Sequence, residues 1–187
     1  EAEKLIRPVE EAIRRRLGDY LFGQDEDTIE EAVARLLWQQ GLTVAVAESC
    51  SGGLLAHRLT NVSGSSAYFQ LGTVVYHNQW KEELLGVPGE VLAARGAVSP
   101  EVAEAMARGV RARAGTDIGI GITGIAGPLG GTPEKPVGLV YLGMDFRGRV
   151  KVWRENWTGS RLDIKWLTSQ WALVKLYQTL RRGDLPE

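Results

Sequence analysis

Hydrophobic positions along this chain switch repeatedly between helical spacing and short continuous runs. Behind Pro8, a residue suited to a first helical turn, Val9, Ile13 and Leu17 recur every four residues and predict a helix over 8–17. Ile29, Val33, Leu36 and Leu37 form a second stripe, which Gly41 stops and for which Asp27 and Glu30 have the spacing of a capping box. Leu42 to Ala47 is a short β-rich run that reads as a buried strand, followed by a helix over about 54–59. Thr73 to Tyr76 reads as a second strand, and Asn78 to Leu85 as a helix carrying Trp80 and Lys81. Ser99 as cap, Pro100 at the first position and early acids Glu101 and Glu104 start a helix that ends at Gly115. Ile118 to Ile122 predicts a third strand, and Val137–Met144 with Arg149–Trp157 a hairpin around Arg147-Gly148. Ser160 and Asp163 again have capping-box spacing, and Leu162, Trp166, Leu173, Leu176 and Leu180 follow on a last helix over about 161–180. Alternating strands and helices followed by a hairpin predict an α/β fold, a three-layer α/β/α sandwich with a mixed sheet. Residues 1–25 read as a connecting arm and 26–187 as the domain.

Composition narrows the chemistry. The 187 residues are 44% apolar and 24% charged, as in ordinary globular domains, and no apolar run is long enough to span a bilayer. A net charge of −1 argues against nucleic-acid binding by bulk electrostatics, although a small anion needs only a few local cations. The single Cys50 excludes an internal disulfide and a multi-cysteine metal site, and fits a reducing, cytoplasmic setting. With only His57 and His77 present, a histidine-rich zinc site is disfavoured and no metal is expected.

The candidate chemistry lies at the ends of the predicted strands. Glu48-Ser49-Cys50-Ser51-Gly52-Gly53 joins a strand to a helix. The glycines let a ligand approach the backbone, and N–H groups at a helix start favour negative charge, but Ser49 or Ser51 could equally be a plain helix cap. Neither a Walker loop nor a G-x-S-x-G elbow is present. Tyr76 ends a strand and Lys81 opens the next helix. A lysine shielded from water can serve as a base for a serine, whereas on an open surface it would be a solvated cation. The Gly-rich loop 123–131, headed by Thr123 and Gly124, suits a ligand or a flexible connection. Arg161 beside the Ser160 cap opposes the helix dipole unless a phosphate binds there, a mismatch that an exposed arginine also tolerates.

These stretches, Ala47-Glu48-Ser49-Cys50-Ser51-Gly52-Gly53, 64–69, Tyr76-His77-Asn78-Gln79-Trp80-Lys81, 96–99, Thr123-Gly124-Ile125-Ala126-Gly127-Pro128 and 134–138, resemble in order the CinA C-terminal domain family, which also occurs as a stand-alone nicotinamide-nucleotide amidohydrolase. The resemblance implies hydrolysis of the carboxamide of nicotinamide mononucleotide to nicotinic acid mononucleotide and ammonia, within pyridine nucleotide recycling. It implies Ser49 as catalytic serine, Lys81 as its base and Tyr76 as a supporting group. Thr123 and Arg161 would hold the substrate with the backbone of Gly52, Gly53 and Gly124, and no cofactor is expected. It further implies a small-molecule nucleotide as partner, a homodimer, neither membrane nor direct nucleic-acid binding, and a missing N-terminal domain similar to molybdopterin-binding domains. Ser51 departs from the threonine expected there but keeps the hydroxyl. Two other readings of the residues stand beside this one: a non-catalytic nucleotide-binding domain of a competence- or DNA-damage-associated protein, and a Ser–Lys hydrolase of another amide.

Overall fold

Five strands form one mixed sheet in the order β2-β1-β3-β4-β5, in a computed structural model that describes residues 2–186. β1 (Val44–Glu48), β2 (Phe69–Val74) and β3 (Ile118–Gly124) run parallel, and β4 (Leu139–Phe146) and β5 (Arg149–Asn156) complete the sheet antiparallel. The helices are α1 (Ala2–Leu17), α2 (Ile29–Gln40), α3 (Leu54–Thr60), α4 (Asn78–Leu85), α5 (Gly89–Arg95), α6 (Pro100–Ala114) and α7 (Arg161–Arg182). None is long and apolar enough to cross a membrane. The expected three-layer α/β/α sandwich is the observed architecture.

The alternation within β1 explains the layers. Val44 and Val46 point into a core shared with α2, α3 and α7, while Ala45 and Ala47 point into a second core with α4, α5 and α6. All five residues of β1 are therefore buried, as a central parallel strand requires. β3 divides its faces by size. Ile118, Ile120 and Ile122 fill the first core, and a Cβ on Gly119 or Gly121 would collide with the Ala107 or Ala103 carbonyl of α6. The glycines thus let α6 lie directly on the sheet, close enough that any side chain would push the layers apart.

Several expected boundaries move. β2 begins at Phe69, not Thr73, because as an edge strand it is half-buried and alternating rather than continuously apolar. α1 starts at Ala2 with Pro8 inside it, not at its first turn. The α2 capping box is Thr28 with Glu31, one residue beyond the expected Asp27 and Glu30; Asp27 instead accepts from the Gln24 N–H. α5 was not foreseen. Other signals hold as read: Ser99 caps α6, Ser160 and Asp163 form a capping box on α7, and Arg147 and Gly148 both have positive φ in the β4–β5 turn.

Candidate active site

The connections after β1 and β2 leave toward opposite faces of the sheet. β1 runs into α3 on the first face, and β2 into α4 on the second. A crevice opens where adjacent parallel strands diverge in this way, at their carboxyl ends. Ser49 follows β1, Tyr76 and Lys81 follow β2, and Thr123 lies near the end of β3, so topology brings these expected residues to one edge. Arg161 reaches the same edge from the start of α7.

Glu48 shapes the first loop. Its carboxylate is fully buried and accepts three backbone hydrogen bonds, from Gly53 N (3.1 Å), Leu55 N (3.1 Å) and Ala56 N (2.8 Å). The Glu48 side chain thus fills the place of a helix cap for α3, and occupies N–H groups that would otherwise face a ligand. The Gly52 N–H is also occupied, by the Ser49 carbonyl at 3.1 Å. The expectation that Gly52 and Gly53 offer N–H donors to substrate is therefore corrected. The Cys50 and Ser51 N–H groups donate to no backbone carbonyl among the described residues and face the Cys50 sulfur instead. Ser49 is half-buried, its N–H bonded to the Ile122 carbonyl and its Oγ without a hydrogen-bond partner among the described residues. Ser51 Oγ is buried and unpartnered. Neither serine caps α3, so that alternative reading fails; the N-cap position belongs to Gly53, at φ +91°.

Lys81 lies within the crevice at 1% exposure. Its Nζ donates to Val75 O (2.9 Å) and Tyr76 O (3.2 Å), with Asn78 Oδ1 at 3.5 Å, and no carboxylate pairs with it. Burial lowers its pKa from the ordinary lysine value, with the neighbouring Cys50 pulling the other way. A solvated surface lysine is thereby excluded. Cys50 is buried too, and its thiol is pushed up to about 12 by desolvation and then by the Glu48 charge.

The outer side of the crevice is cationic. Arg161 donates through Nη2 to the Tyr76 hydroxyl (2.7 Å) and through Nη1 to Gly127 O (2.8 Å). One turn later on α7, Lys165 extends over Gly52: a Cβ built there would lie 3.2 Å from its Nζ. Thr123 is buried, and its hydroxyl donates to Ala97 O at 2.7 Å, leaving only its lone pairs for a ligand. Gly124 answers a packing need, since a Cβ there would meet Leu139 O, Val140 Cγ2 and Cys50 Sγ. In the loop that follows, Lys135 Nζ donates to the Arg95 and Val98 carbonyls, which fastens the loop to the segment before α6. His77 caps α4 through Nδ1, accepting from Gln79 N, and His57 lies exposed on α3.

Two contributors escaped the sequence reading. Glu48 had a signal, a single acid closing a buried apolar run. Lys165 had a weaker one, its spacing of four from Arg161. A cavity of about 480 Å³ elsewhere, lined by Arg14, Asp19, Phe22, Arg35 and Tyr177 among others, gathers no comparable chemistry. No group of three or more His, Cys, Asp and Glu side chains suited to a metal occurs among the described residues.

Comparison with known proteins finds relatives over nearly the whole chain. A putative competence-damage inducible protein of Moorella thermoacetica is 63% identical over 180 residues, which cover 96% of this chain and 44% of that protein. A CinA-like protein of Kosmotoga olearia is 48% identical over 185 residues, 99% of this chain and 44% of its own length. The chain thus spans less than half of the curated relatives it matches. Among solved structures, the competence/damage inducible protein CihA of Agrobacterium tumefaciens superposes with a TM-score of 0.77 at 41% identity, covering 86% of this chain and 98% of that one. Competence damage-inducible protein A of Klebsiella pneumoniae gives 0.80 at 34%, covering 82% and 95%. The family model described as the CinA C-terminal domain matches residues 26–180, and the chain belongs to that family.

Proposed function

We propose that the protein is a nicotinamide mononucleotide deamidase working by serine and lysine. The observation that carries this reading is Lys81: a buried lysine without a carboxylate partner, at the crevice that Ser49 heads. Burial favours its neutral amine, which can keep hydrogen bonds to Val75 O and Tyr76 O while its lone pair takes the Ser49 proton. Ser49 Oγ attacks the carboxamide carbon. The Lys81 ammonium returns the proton to the departing nitrogen as the C–N bond breaks, and ammonia leaves an acyl-serine. Water, deprotonated by Lys81, then cleaves the ester and restores Ser49. The Cys50 and Ser51 N–H groups, which face only the weak acceptor Cys50 Sγ, would turn to the oxyanion, since those of Gly52 and Gly53 are engaged by oxygens. The positive pyridinium ring of the substrate makes its amide carbon more electrophilic. Thr123 and Arg161 hold the nucleotide.

Ammonia release from nicotinamide mononucleotide, set against a panel of other amides, tests this directly. Ser49→Ala is expected to abolish release with the fold intact, and full activity in that variant excludes the serine role. One observation favours a second reading. The three acceptors around Lys81 Nζ also suit a permanent ammonium, and hence a domain that binds the nucleotide without turnover. Binding with no release from any amide selects it. A homodimer is part of the same proposal, supported by the half-exposed Trp80 and Trp166 and the exposed Leu162. Sedimentation velocity checks it.

A further inference from the structure

We infer that Lys165 is the second cation of a phosphate subsite and makes the enzyme select a 5′-phosphorylated substrate over the nucleoside. The inference rests on the mononucleotide reading above. Arg161 and Lys165 stand four residues apart on α7, a spacing that puts like charges on one helix face and costs a few tenths of a kcal/mol without a shared counter-ion. Neither forms a salt bridge with a carboxylate among the described residues. Asp163, between them in the chain, accepts from Ser160 N (2.9 Å) and Oγ (2.7 Å), and Glu48, in the loop they face, takes three backbone N–H groups. Both cations converge on the same loop. The Arg161 charge acts on Cys50, and Lys165 Nζ lies over Gly52, 3.2 Å from where a Cβ would stand.

The charge balance fits one ligand class. A phosphate monoester carries roughly −1.5 to −2 near neutral pH, more than one guanidinium compensates. Arg161 also has two of its nitrogens committed to Gly127 O and Tyr76 Oη, which fixes its plane and leaves part of its fork for an oxygen. Lys165 makes no hydrogen bond among the described residues, so its three donors are available for the remaining oxygens. The start of α3 offers the anion little, its N–H groups being already taken by Glu48.

The test compares nicotinamide mononucleotide with nicotinamide riboside on wild type, Lys165→Met and Lys165→Arg. Lys165→Met should raise KM for the mononucleotide by about tenfold, with kcat kept and the riboside kcat/KM unchanged. Inhibition by inorganic phosphate should weaken in parallel, and Lys165→Arg should restore most of both. An equal change on the two substrates, an unchanged mononucleotide KM, or no rescue by arginine overturns the inference. If wild type releases ammonia from neither substrate, the deamidase reading fails by itself. Calorimetric binding of nicotinic acid mononucleotide then decides the subsite: weaker binding to Lys165→Met than to wild type upholds it, and equal binding rejects it.

Discussion

The Nη2 of Arg161 donates a 2.7 Å hydrogen bond to the Tyr76 hydroxyl, joining two residues 85 positions apart in the chain. The bond ties the start of α7 to the segment between β2 and α4, one on each side of the crevice. It also gives Tyr76, which is 57% exposed, a role that does not depend on packing.

Tyr76→Phe should therefore act on the site and not on the fold. Removing one acceptor from a guanidinium in a partly exposed setting is worth about 1 kcal/mol, or roughly fivefold in kcat/KM. Stability should change by less than about 0.5 kcal/mol, as for other exposed positions. Steady-state kinetics beside thermal melting checks both, and a large fall in melting temperature would contradict the separation.

The depressed pKa of Lys81 sets two pH dependences of known sign. In the proposed role of base it must be neutral, so kcat/KM should rise with pH along a limb of unit slope whose midpoint lies below the ordinary lysine value of about 10.4. Lys81→Arg, which keeps its proton, should bind nucleotide without turning it over. For stability, the folded chain binds this proton more weakly than the unfolded chain. The resulting penalty is fully present below the folded pKa and is relieved as pH rises from there toward about 10.4. A pH–rate profile flat on its acid side counts against Lys81 as the base.

Glu48→Gln replaces one accepting oxygen by an NH2 that faces backbone donors. Three N–H groups at the start of α3 then compete for a single oxygen, at an expected cost of about 2–3 kcal/mol. The Ser49 loop loses its fixed position with them, so kcat should fall more than KM rises. Denaturant unfolding and steady-state kinetics measure the two effects; a variant with wild-type stability and kcat shows that the carboxylate is dispensable.

Cys50, next to Ser49, should be chemically silent in the folded protein. It is buried and its thiol is raised to about 12, so almost no thiolate exists at neutral pH. Iodoacetamide should label it only after denaturation, and Cys50→Ser should retain the proposed deamidase activity. Rapid labelling of the native protein would overturn this.

Much of the fold was legible because its signals are local. The α7 capping box, Pro100 at the first turn of α6 and the Arg147-Gly148 turn depend on side chains within a few residues of the backbone they serve. The β2 start was not legible, because an edge strand with one wet face lacks the continuous apolar run by which the central strands announce themselves. The glycines of β3 had no local meaning either; only α6 lying across them gives Gly119 and Gly121 their reason.

The opening relationship marks the same division. The sequence by itself supplied Ser49, Tyr76, Lys81, Thr123 and Arg161 as chemistry-bearing residues at element ends, and their order in the chain identified the family. Which polar groups in these loops remain available is a matter of the folded geometry, of near and distant partners alike. The Gly52 and Gly53 N–H groups donate to Ser49 and Glu48, the Thr123 hydroxyl donates to Ala97 O, and Lys81 is shut off from water. A hydrogen bond saturates, and burial is a property of the assembled layers. Tertiary structure alone therefore decided which donors and charges face the crevice.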